Sequence, residues 1–525
     1  GALHVGYVSA DFREHPVSYL FQSVPLLHDK SKVSPMAFSI YSKPVDDDKS
    51  PCRARIKQGA SSFHDLRGLS HVEAVDVIRQ RDVHVLVDMA GFTQDGRPEI
   101  FALEPAPVTI GFLGFASTSA SDYMDYMAAD STAAPPELAS TFSERLLLLP
   151  PSYYVTDHSN LWKHLAPTSA VPAVNKVQLG IQEHCRGKFL FSTFNQPFKI
   201  HPTLWSVWMR IMKRVPNSCL WILKLNEGIA AQPNLMREAE KQGVDPDRLY
   251  FTGSADADVH VTYKSVAELM LDADLYNAHS TAADTLWAGV PLITLSGTRM
   301  ASRIAGSLVK GADAEWMIAR TFDEYEELAV RFALSETTRA SLRDRLVTSR
   351  TSLPLFNTAL WVRRWEAGLR MVWDIAEAQL DPIHVIVSEQ AWASNDVQDT
   401  HETAQDKRKE EDRTRAKLDQ RDKKKTHSGS SQVKSEPASK DNHDTAETKQ
   451  PTMQHKEMQE TTEKEEEREE VVEQHGKEGE EEGSSLDLSA ELRRLRRRAR
   501  KAGITDKAIA KALRDFVDEV TGTKA

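Results

Sequence analysis

The segment Asn277-Ala-His-Ser-Thr-Ala-Ala-Asp284-Thr-Leu-Trp-Ala-Gly-Val-Pro291 gathers an imidazole (His279), two hydroxyls (Ser280, Thr281) and a carboxylate (Asp284) in one short run. Before it, Leu269-Met-Leu-Asp-Ala reads as the end of a strand. After it, Asp284 to Ala288 reads as helix until Gly289-Val-Pro291 stops it and Leu292-Ile-Thr-Leu starts another strand. Ser280 or Thr281 is expected to cap that helix, leaving backbone N–H groups and the positive end of the helix dipole open to an anion, and a diphosphate fits there. A second segment, Phe194-Asn-Gln-Pro-Phe-Lys-Ile-His-Pro202, follows the expected strand Lys188-Phe-Leu-Phe-Ser and supplies a cation, Lys199, and an amide, Gln196. A third, Asp11-Phe-Arg-Glu-His15-Pro-Val-Ser, puts His15 just past the first strand, at the sheet edge where open α/β proteins bind ligands. An imidazole with an ordinary pKa near ~6.5 could take a proton from a hydroxyl there. Asp88, at the C-terminal end of its own strand, is a candidate relay for that proton.

These residues need a scaffold that ends strands beside one another, and the chain supplies one. A first lobe is expected over 1–163, opening with the strand His4-Val-Gly-Tyr-Val-Ser and containing Val83-His-Val-Leu-Val-Asp88. Residues 164–187 lose periodicity, gain Pro167 and Pro172, and read as a linker. A second lobe, 188–349, repeats the alternation with strands at Cys219-Leu-Trp-Ile-Leu, Arg248-Leu-Tyr-Phe, Glu268-Leu-Met-Leu and Leu292-Ile-Thr-Leu. Leu204, Val207, Trp208, Ile211 and Met212 mark a helix by their spacing, and Thr321-Phe-Asp-Glu324 looks like a capping box for a helix running to Leu334. Within 350–387, Thr358 to Ala378 forms a tryptophan-rich amphipathic helix. The stretch 388–484 is Glu, Lys, Gln, Thr and Ser with few aromatics, too polar to offset its chain entropy, and is expected to be disordered. Residues 485–525 read as a small module of two helices split by Gly503.

The chain has 525 residues, 40% of them apolar, ample for two or three buried cores. Its net charge of −11 argues against nucleic acid as the main partner, although the average conceals an acidic block at Glu463 to Glu482 and a basic one at Arg493 to Lys501. No apolar run approaches the ~18 residues that span a bilayer, so no membrane is expected. Cys52, Cys185 and Cys219 are odd in number and match no metal-ligand spacing, which points to unpaired thiols in a reducing compartment. Asp272-Ala-Asp274 matches the carboxylate pattern of some manganese sites, but three residues in an acidic chain recur by chance, and it is read as structural.

The three segments, with Leu86-Val-Asp-Met-Ala-Gly-Phe-Thr, Pro105-Ala-Pro-Val, Leu113-Gly-Phe, Met124-Asp-Tyr, Lys213-Arg-Val-Pro-Asn-Ser, Met300-Ala-Ser-Arg-Ile-Ala and Pro354-Leu-Phe-Asn-Thr358, run in the order found in the catalytic region of the protein O-linked N-acetylglucosamine (O-GlcNAc) transferases. The resemblance extends from about Val5 to about Trp373. It implies an α/β fold of the GT-B type: two Rossmann-like lobes with parallel sheets, the sugar nucleotide held mainly by the second, and the Trp-rich helix packed back across both. It implies an inverting, metal-independent transfer of N-acetylglucosamine from UDP-GlcNAc, as donor substrate without a further cofactor, to Ser or Thr hydroxyls of proteins in the cytoplasm and nucleus. Lys199 would neutralise the leaving diphosphate. Gln196, Ser280 and Thr281 would bind it, His279 would lie near the phosphates, and Asp284 would hold the ribose. Ala255, His260 and Tyr263 would line the uridine loop, and Gly114 the sugar loop. His15 is one candidate base, beside a substrate phosphate oxygen or a water relayed to a carboxylate. Family members carry tetratricopeptide repeats upstream; none are visible here, and the chain looks like the C-terminal part of something longer.

The chain also departs from the family pattern. The element resembling HPTSH reads His15-Pro-Val-Ser-Tyr19, and the loop resembling GYPGTSG reads Gly114-Phe-Ala-Ser-Thr-Ser-Ala120, losing two glycines that permit close backbone approach. Ala257 stands where relatives place a lysine, a loss that Lys264 could offset, and Tyr263 stands where they often place an arginine. Two rival readings follow: a GDP-fucose protein O-fucosyltransferase, against which His279 argues because those relatives tend to carry glycine there, and a catalytically weakened nucleotide-binding scaffold.

Overall fold

The structure is a computed structural model that describes residues 1–46, 49–163, 176–223, 231–253 and 256–388. Half of the expected linker, the charged tail past Ser388, the expected terminal helical module and Ala255 lie outside the described residues. Continuous apolar runs such as Val85–Asp88, with every residue buried, form strands covered on both faces, the habit of parallel sheets. The first run of strands is β1 (Leu3–Ser9), β2 (Val33–Ser39), β3 (Ser62–Asp65), β4 (Val85–Asp88), β5 (Val108–Gly111), β6 (Tyr126–Ala129) and β7 (Arg145–Leu148). The second is β8 (Phe189–Thr193), β9 (Ser218–Leu223), β10 (Leu249–Thr252), β11 (Leu269–Leu271), β12 (Leu292–Leu295) and β13 (Ile318–Ala319), and β14 (Val385–Ile386) closes the described chain.

Two sheets result. One is ordered β14-β7-β6-β5-β4-β1-β2-β3 and the other β10-β9-β8-β11-β12-β13. Every pairing is parallel. In each sheet the strand order reverses once, between β1 and β4 in the first and between β8 and β11 in the second. Loops leaving adjacent strands at such a point diverge to opposite faces and open a crevice at the C-terminal edge.

The helix Pro202–Arg214 starts on a proline, whose missing N–H is no loss in a first turn, and buries Leu204, Val207, Trp208, Ile211 and Met212. Its polar edge is fastened by Arg210 and Arg214, which reach Glu326 of the helix Phe322–Leu334 at 2.6 and 3.0 Å. Only half of the expected capping box closes on that second helix. Thr321 accepts from the Glu324 N–H at 3.1 Å, while the Glu324 carboxylate takes the Arg320 N–H at 2.9 Å.

The helix Thr358–Glu377 anchors its tryptophans in the first lobe. Trp361 Nε1 donates to the Tyr153 carbonyl at 3.0 Å and Trp365 Nε1 to Tyr7 Oη at 2.9 Å. Tyr7 lies 2.8 Å from His28 Nε2, and His28 Nδ1 lies 2.9 Å from Glu366 of the same helix. Only one tautomer satisfies this buried chain: tyrosine donates to Nε2, and Nδ1–H donates to the carboxylate. The chain then adds β14 to the outer edge of β7, so residues that follow the second sheet complete the first.

The expectation of unpaired thiols is overturned. Cys185, on the short helix Glu183–Arg186, forms a disulfide with Cys219 of β9. Sequence spacing hid the pair because the end of the linker folds back beside a strand 34 residues later. Cys52 is free and buried. Among the described residues no helix is long and apolar enough to cross a membrane.

Candidate active site

Two loops flank the reversal point of the second sheet. Phe194 to His201 leaves β8, and Asp272 to His279 leaves β11 before entering the helix Ser280–Trp287. Asp272, fully buried, ties them together: its Oδ1 accepts from Asn195 Nδ2 and from the N–H groups of Ala273 and Ala278, each at 2.8 Å, and its Oδ2 from Thr294 Oγ1 at 2.8 Å. Burial pushes its carboxyl up to about 6, against the pull of these donors and of Lys199. Asp274 is occupied by His201 Nε2 at 2.7 Å. Both carboxylates of the Asp-Ala-Asp run are therefore spent on the protein's own groups, in agreement with a structural role.

On this frame Lys199 Nζ donates to the Asn277 carbonyl at 3.0 Å and to Asn195 Oδ1 at 3.3 Å, and it sits 4.2 Å from the centre of the Tyr276 ring. Burial lowers its pKa to about 8, with Asp272 opposing the shift. Asn277 is close in sequence to the start of the helix Ser280–Trp287, so the ammonium and the helix N-terminus are neighbours. The cap is not Ser280 or Thr281 as expected but His279, with no side-chain bond; the two hydroxyl residues occupy the first turn. The Ala282 and Ala283 N–H groups turn back onto the His279 carbonyl at 2.9 and 3.1 Å. That leaves the N–H groups and hydroxyls of Ser280 and Thr281, half-buried, with no partner among the described residues. Four donors beside a cation make an anion cradle.

His279 is engaged by the protein itself. Its Nε2 lies 3.1 Å from the Ala301 carbonyl, which can only accept, so the ring's one proton is spent there and Nδ1 carries a lone pair. Burial holds the ring neutral, with its pKa near 3 despite the bond to Ala301. A neutral ring in this tautomer offers no donor to a phosphate, and its ring stacks at 4.7 Å on Tyr276.

Asp284 is likewise committed. Its Oδ2 meets Lys264 Nζ at 2.8 Å and its Oδ1 meets His158 Nε2 at 2.9 Å. Burial alone would raise its pKa, but Lys264 and His158 together hold the carboxyl well below the usual range. The Lys264 side chain is only 1% exposed, so it points inward and does not replace the missing uridine-loop cation. His158 belongs to the first lobe, which makes this junction a bridge between the sheets; it was not legible in sequence. A second bridge runs from Ser307 to Asp130 at 2.6 Å and from Arg303 to the Thr132 carbonyl at 2.7 Å. In the loop expected to hold uridine, His260 is neutral, its pKa lowered to about 4 by burial first and by Lys264 next, and it packs edge-on to Phe194 at 5.9 Å. Tyr263 is half-buried against the core, and Gln196 is exposed beside Lys199.

The first sheet presents its own pair at its reversal point. His15 follows β1 and caps the short helix Pro16–Phe21. Its Nδ1 is 3.3 Å from the Val17 N–H and 3.4 Å from Asp11 Oδ2, so it can serve one partner at a time. Accepting from Val17 puts the proton on Nε2; donating to Asp11 frees Nε2 as a base. Burial lowers the His15 pKa, and Asp11 acts against that. Asp88, at the end of β4, shows no bond to His15: its Oδ1 accepts from the Ala90 and Gly91 N–H groups at 2.9 Å each, a tight local turn that fixes the carboxylate through one of its two oxygens. Gly114 is a glycine for a reason of space, since a Cβ there would meet the Met89 carbonyl oxygen at 2.0 Å. At the other end of that loop, Ala120 occupies the left-handed region at φ 50° without being a glycine.

Two doubly wound parallel sheets, each with its chemistry at the C-terminal edge of the reversal point, define a GT-B glycosyltransferase fold. The model for glycosyl transferase family 41 matches residues 1–184 and 183–364, and the chain belongs to that family. It is similar to a probable UDP-N-acetylglucosamine–peptide N-acetylglucosaminyltransferase SEC of Arabidopsis thaliana, 35% identical over 401 residues that cover 76% of this chain and 39% of the relative. It is also similar to a UDP-N-acetylglucosamine–peptide N-acetylglucosaminyltransferase of Caenorhabditis elegans, 27% identical, covering 73% of this chain and 42% of the relative. An O-GlcNAc transferase of Thermobaculum terrenum, solved as a mutant, superposes with a TM-score of 0.62 at 25% identity, covering 72% of this chain and 69% of that one. The chain spans about two-fifths of the length of the curated relatives it matches.

Proposed function

We propose that this chain is the catalytic region of a protein O-GlcNAc transferase, moving N-acetylglucosamine with inversion from UDP-GlcNAc to Ser or Thr hydroxyls of protein acceptors. The observation that carries the reading is the Lys199 ammonium held beside the open N–H groups and hydroxyls of Ser280 and Thr281. Cleaving the sugar–phosphate bond leaves negative charge on the diphosphate, and a fixed cation with a helix N-terminus stabilises that charge as it develops, without a divalent ion. Asp272 and Asn195 keep the two loops in register, so the donors need not reorganise. Across the cleft, His15 with its Nδ1–H donated to Asp11 would accept the hydroxyl proton through Nε2, and the resulting imidazolium would face the Asp11 carboxylate. In this scheme Asp284 supports the cradle through Lys264 and His158, and any ribose contact is made with lone pairs those two leave open. The proposed setting is the cytoplasm and nucleus.

The test is transfer of labelled sugar from UDP-GlcNAc to a mixture of protein acceptors by the full chain, with Lys199→Met beside it, and calorimetric titration with UDP and GDP. Transfer that falls at least about 100-fold in Lys199→Met, with UDP bound in preference to GDP, supports the proposal. Preference for GDP would move the reading to fucosyl transfer, and UDP binding without turnover would make the chain a scaffold.

A further inference from the structure

The loop after β11 carries a residue that the scheme above leaves idle. Tyr276 is 44% exposed, yet its ring is in contact with two half-buried groups beside the cradle. Lys199 Nζ lies 4.2 Å from its centroid, and the His279 imidazole is stacked on it at 4.7 Å with 25° between the planes. No other ring is in such contact with Lys199 among the described residues. Asp272 fixes both ends of the segment through the Ala273 and Ala278 N–H groups, so the position of Tyr276 between them is set by the same carboxylate that sets Asn195.

We infer that Tyr276 is a positioning residue for the leaving-group lysine: its ring is the surface on which the Lys199 ammonium rests and against which the His279 imidazole is stacked. This rests on the proposed role of Lys199. A lysine side chain has four rotatable bonds, and two carbonyl-type acceptors, Asn277 O and Asn195 Oδ1, leave one of its three N–H directions open. The negative face of an aromatic ring holds a cation without offering it a hydrogen-bond acceptor. The third N–H therefore stays available for a phosphate oxygen, whereas a carboxylate in the place of the ring would compete for it. The groups around the ammonium are consistent with this division of labour. Asp272 acts on it through Asn195, Asp274 is engaged by His201, and the His279 ring is neutral. The ring also keeps water off the ammonium, in line with a lysine that titrates near 8.

The experiment reads the lysine directly. Competitive acetylation of the full chain across pH, followed by mass spectrometry of the Lys199 peptide, gives the titration of that one side chain whether or not sugar is transferred. Tyr276→Ala has two opposed effects on the Lys199 midpoint: loss of the ring's attraction for the cation lowers it, and admission of water raises it. Burial is the larger cause of the lysine's lowered value, so the midpoint should rise by about one pH unit toward the ordinary ~10.4. Tyr276→Phe, which keeps the ring and loses the hydroxyl, should restore the wild-type midpoint. In transfer assays Tyr276→Ala should lower kcat about 10-fold to 30-fold with a change in donor KM under about 3-fold, and its alkaline limb should move with the lysine. An unchanged Lys199 midpoint in Tyr276→Ala overturns the inference, as does a loss in Tyr276→Phe equal to that in Tyr276→Ala. If wild type transfers no sugar while the midpoints still move as stated, the proposed function fails and the placement of the lysine by the ring stands.

Discussion

Asp284→Asn removes the carboxylate that faces the Lys264 ammonium at 2.8 Å and leaves a lysine whose side chain is 1% exposed. With an effective dielectric of about 20, the gross attraction across that gap is about 6 kcal/mol, much of it offset by the cost of drawing the ammonium out of water. In the variant that attraction is lost while the ammonium stays out of water. The expected destabilisation is thus about 3 to 4.5 kcal/mol, the usual scale for removing one member of a buried pair. Lys264→Met is milder, about 1 to 2 kcal/mol, because Asp284 keeps His158 at 2.9 Å and its side chain is 26% exposed. The double variant leaves no orphaned ammonium and should be more stable than Asp284→Asn alone, with a coupling of about 2 kcal/mol. Thermal unfolding of the full chain followed by circular dichroism resolves this, since about 4 kcal/mol corresponds to about 5 °C for a unit the size of Gly1–Asp396. The folded carboxyl titrates below its unfolded value, so its contribution is complete above about pH 5 and fades as pH falls toward the folded pKa. Asp284→Asn should accordingly flatten the acid limb of stability. A single Asp284→Asn variant as stable as the double variant would refute the reasoning, because it would mean that the ammonium is not trapped.

Ala120→Gly should stabilise the protein by about 0.5 to 1 kcal/mol, because relief of left-handed strain at φ 50° outweighs the looser unfolded chain, and chemical denaturation would show the gain. Reducing the Cys185–Cys219 bond, which closes a loop of 34 residues, should cost about 3 to 4 kcal/mol, so dithiothreitol should lower the melting temperature of wild type and leave that of Cys185→Ala/Cys219→Ala unchanged. Tyr7→Phe strands the Trp365 N–H and the His28 Nε2 lone pair in the core, and denaturant titration should show a loss of about 3 kcal/mol with the tryptophan fluorescence altered.

The strands were readable because both sheets are parallel and buried on two faces, which writes them as apolar runs: Val85–Asp88 and Ser218–Leu223 lie where the pattern puts them. The Trp-rich helix was readable by its spacing, and the anion cradle by the coincidence of Lys199 with a strand-to-helix turn. What the pattern could not carry was the partner of each polar group. Asp284 reads as a ribose acceptor, and the pattern gave no sign that Lys264 and His158 stand on its two oxygens. His279 reads as a residue near the phosphates, and only the structure shows its ring proton given to the Ala301 carbonyl. Cys185 and Cys219 read as unrelated thiols until the linker's end folds back on β9.

Local rules of periodicity and turn chemistry act over a few residues, and they are enough to determine which elements form and which loops leave the sheet edges at the two reversal points. Hydrogen bonds and ion pairs saturate: a proton or lone pair spent on one neighbour is lost to another. The three-dimensional arrangement alone decided which side chains remain open to a ligand, because partners such as His158 and Asp284 or Lys199 and Asn277 are brought together across 126 and 78 residues of chain.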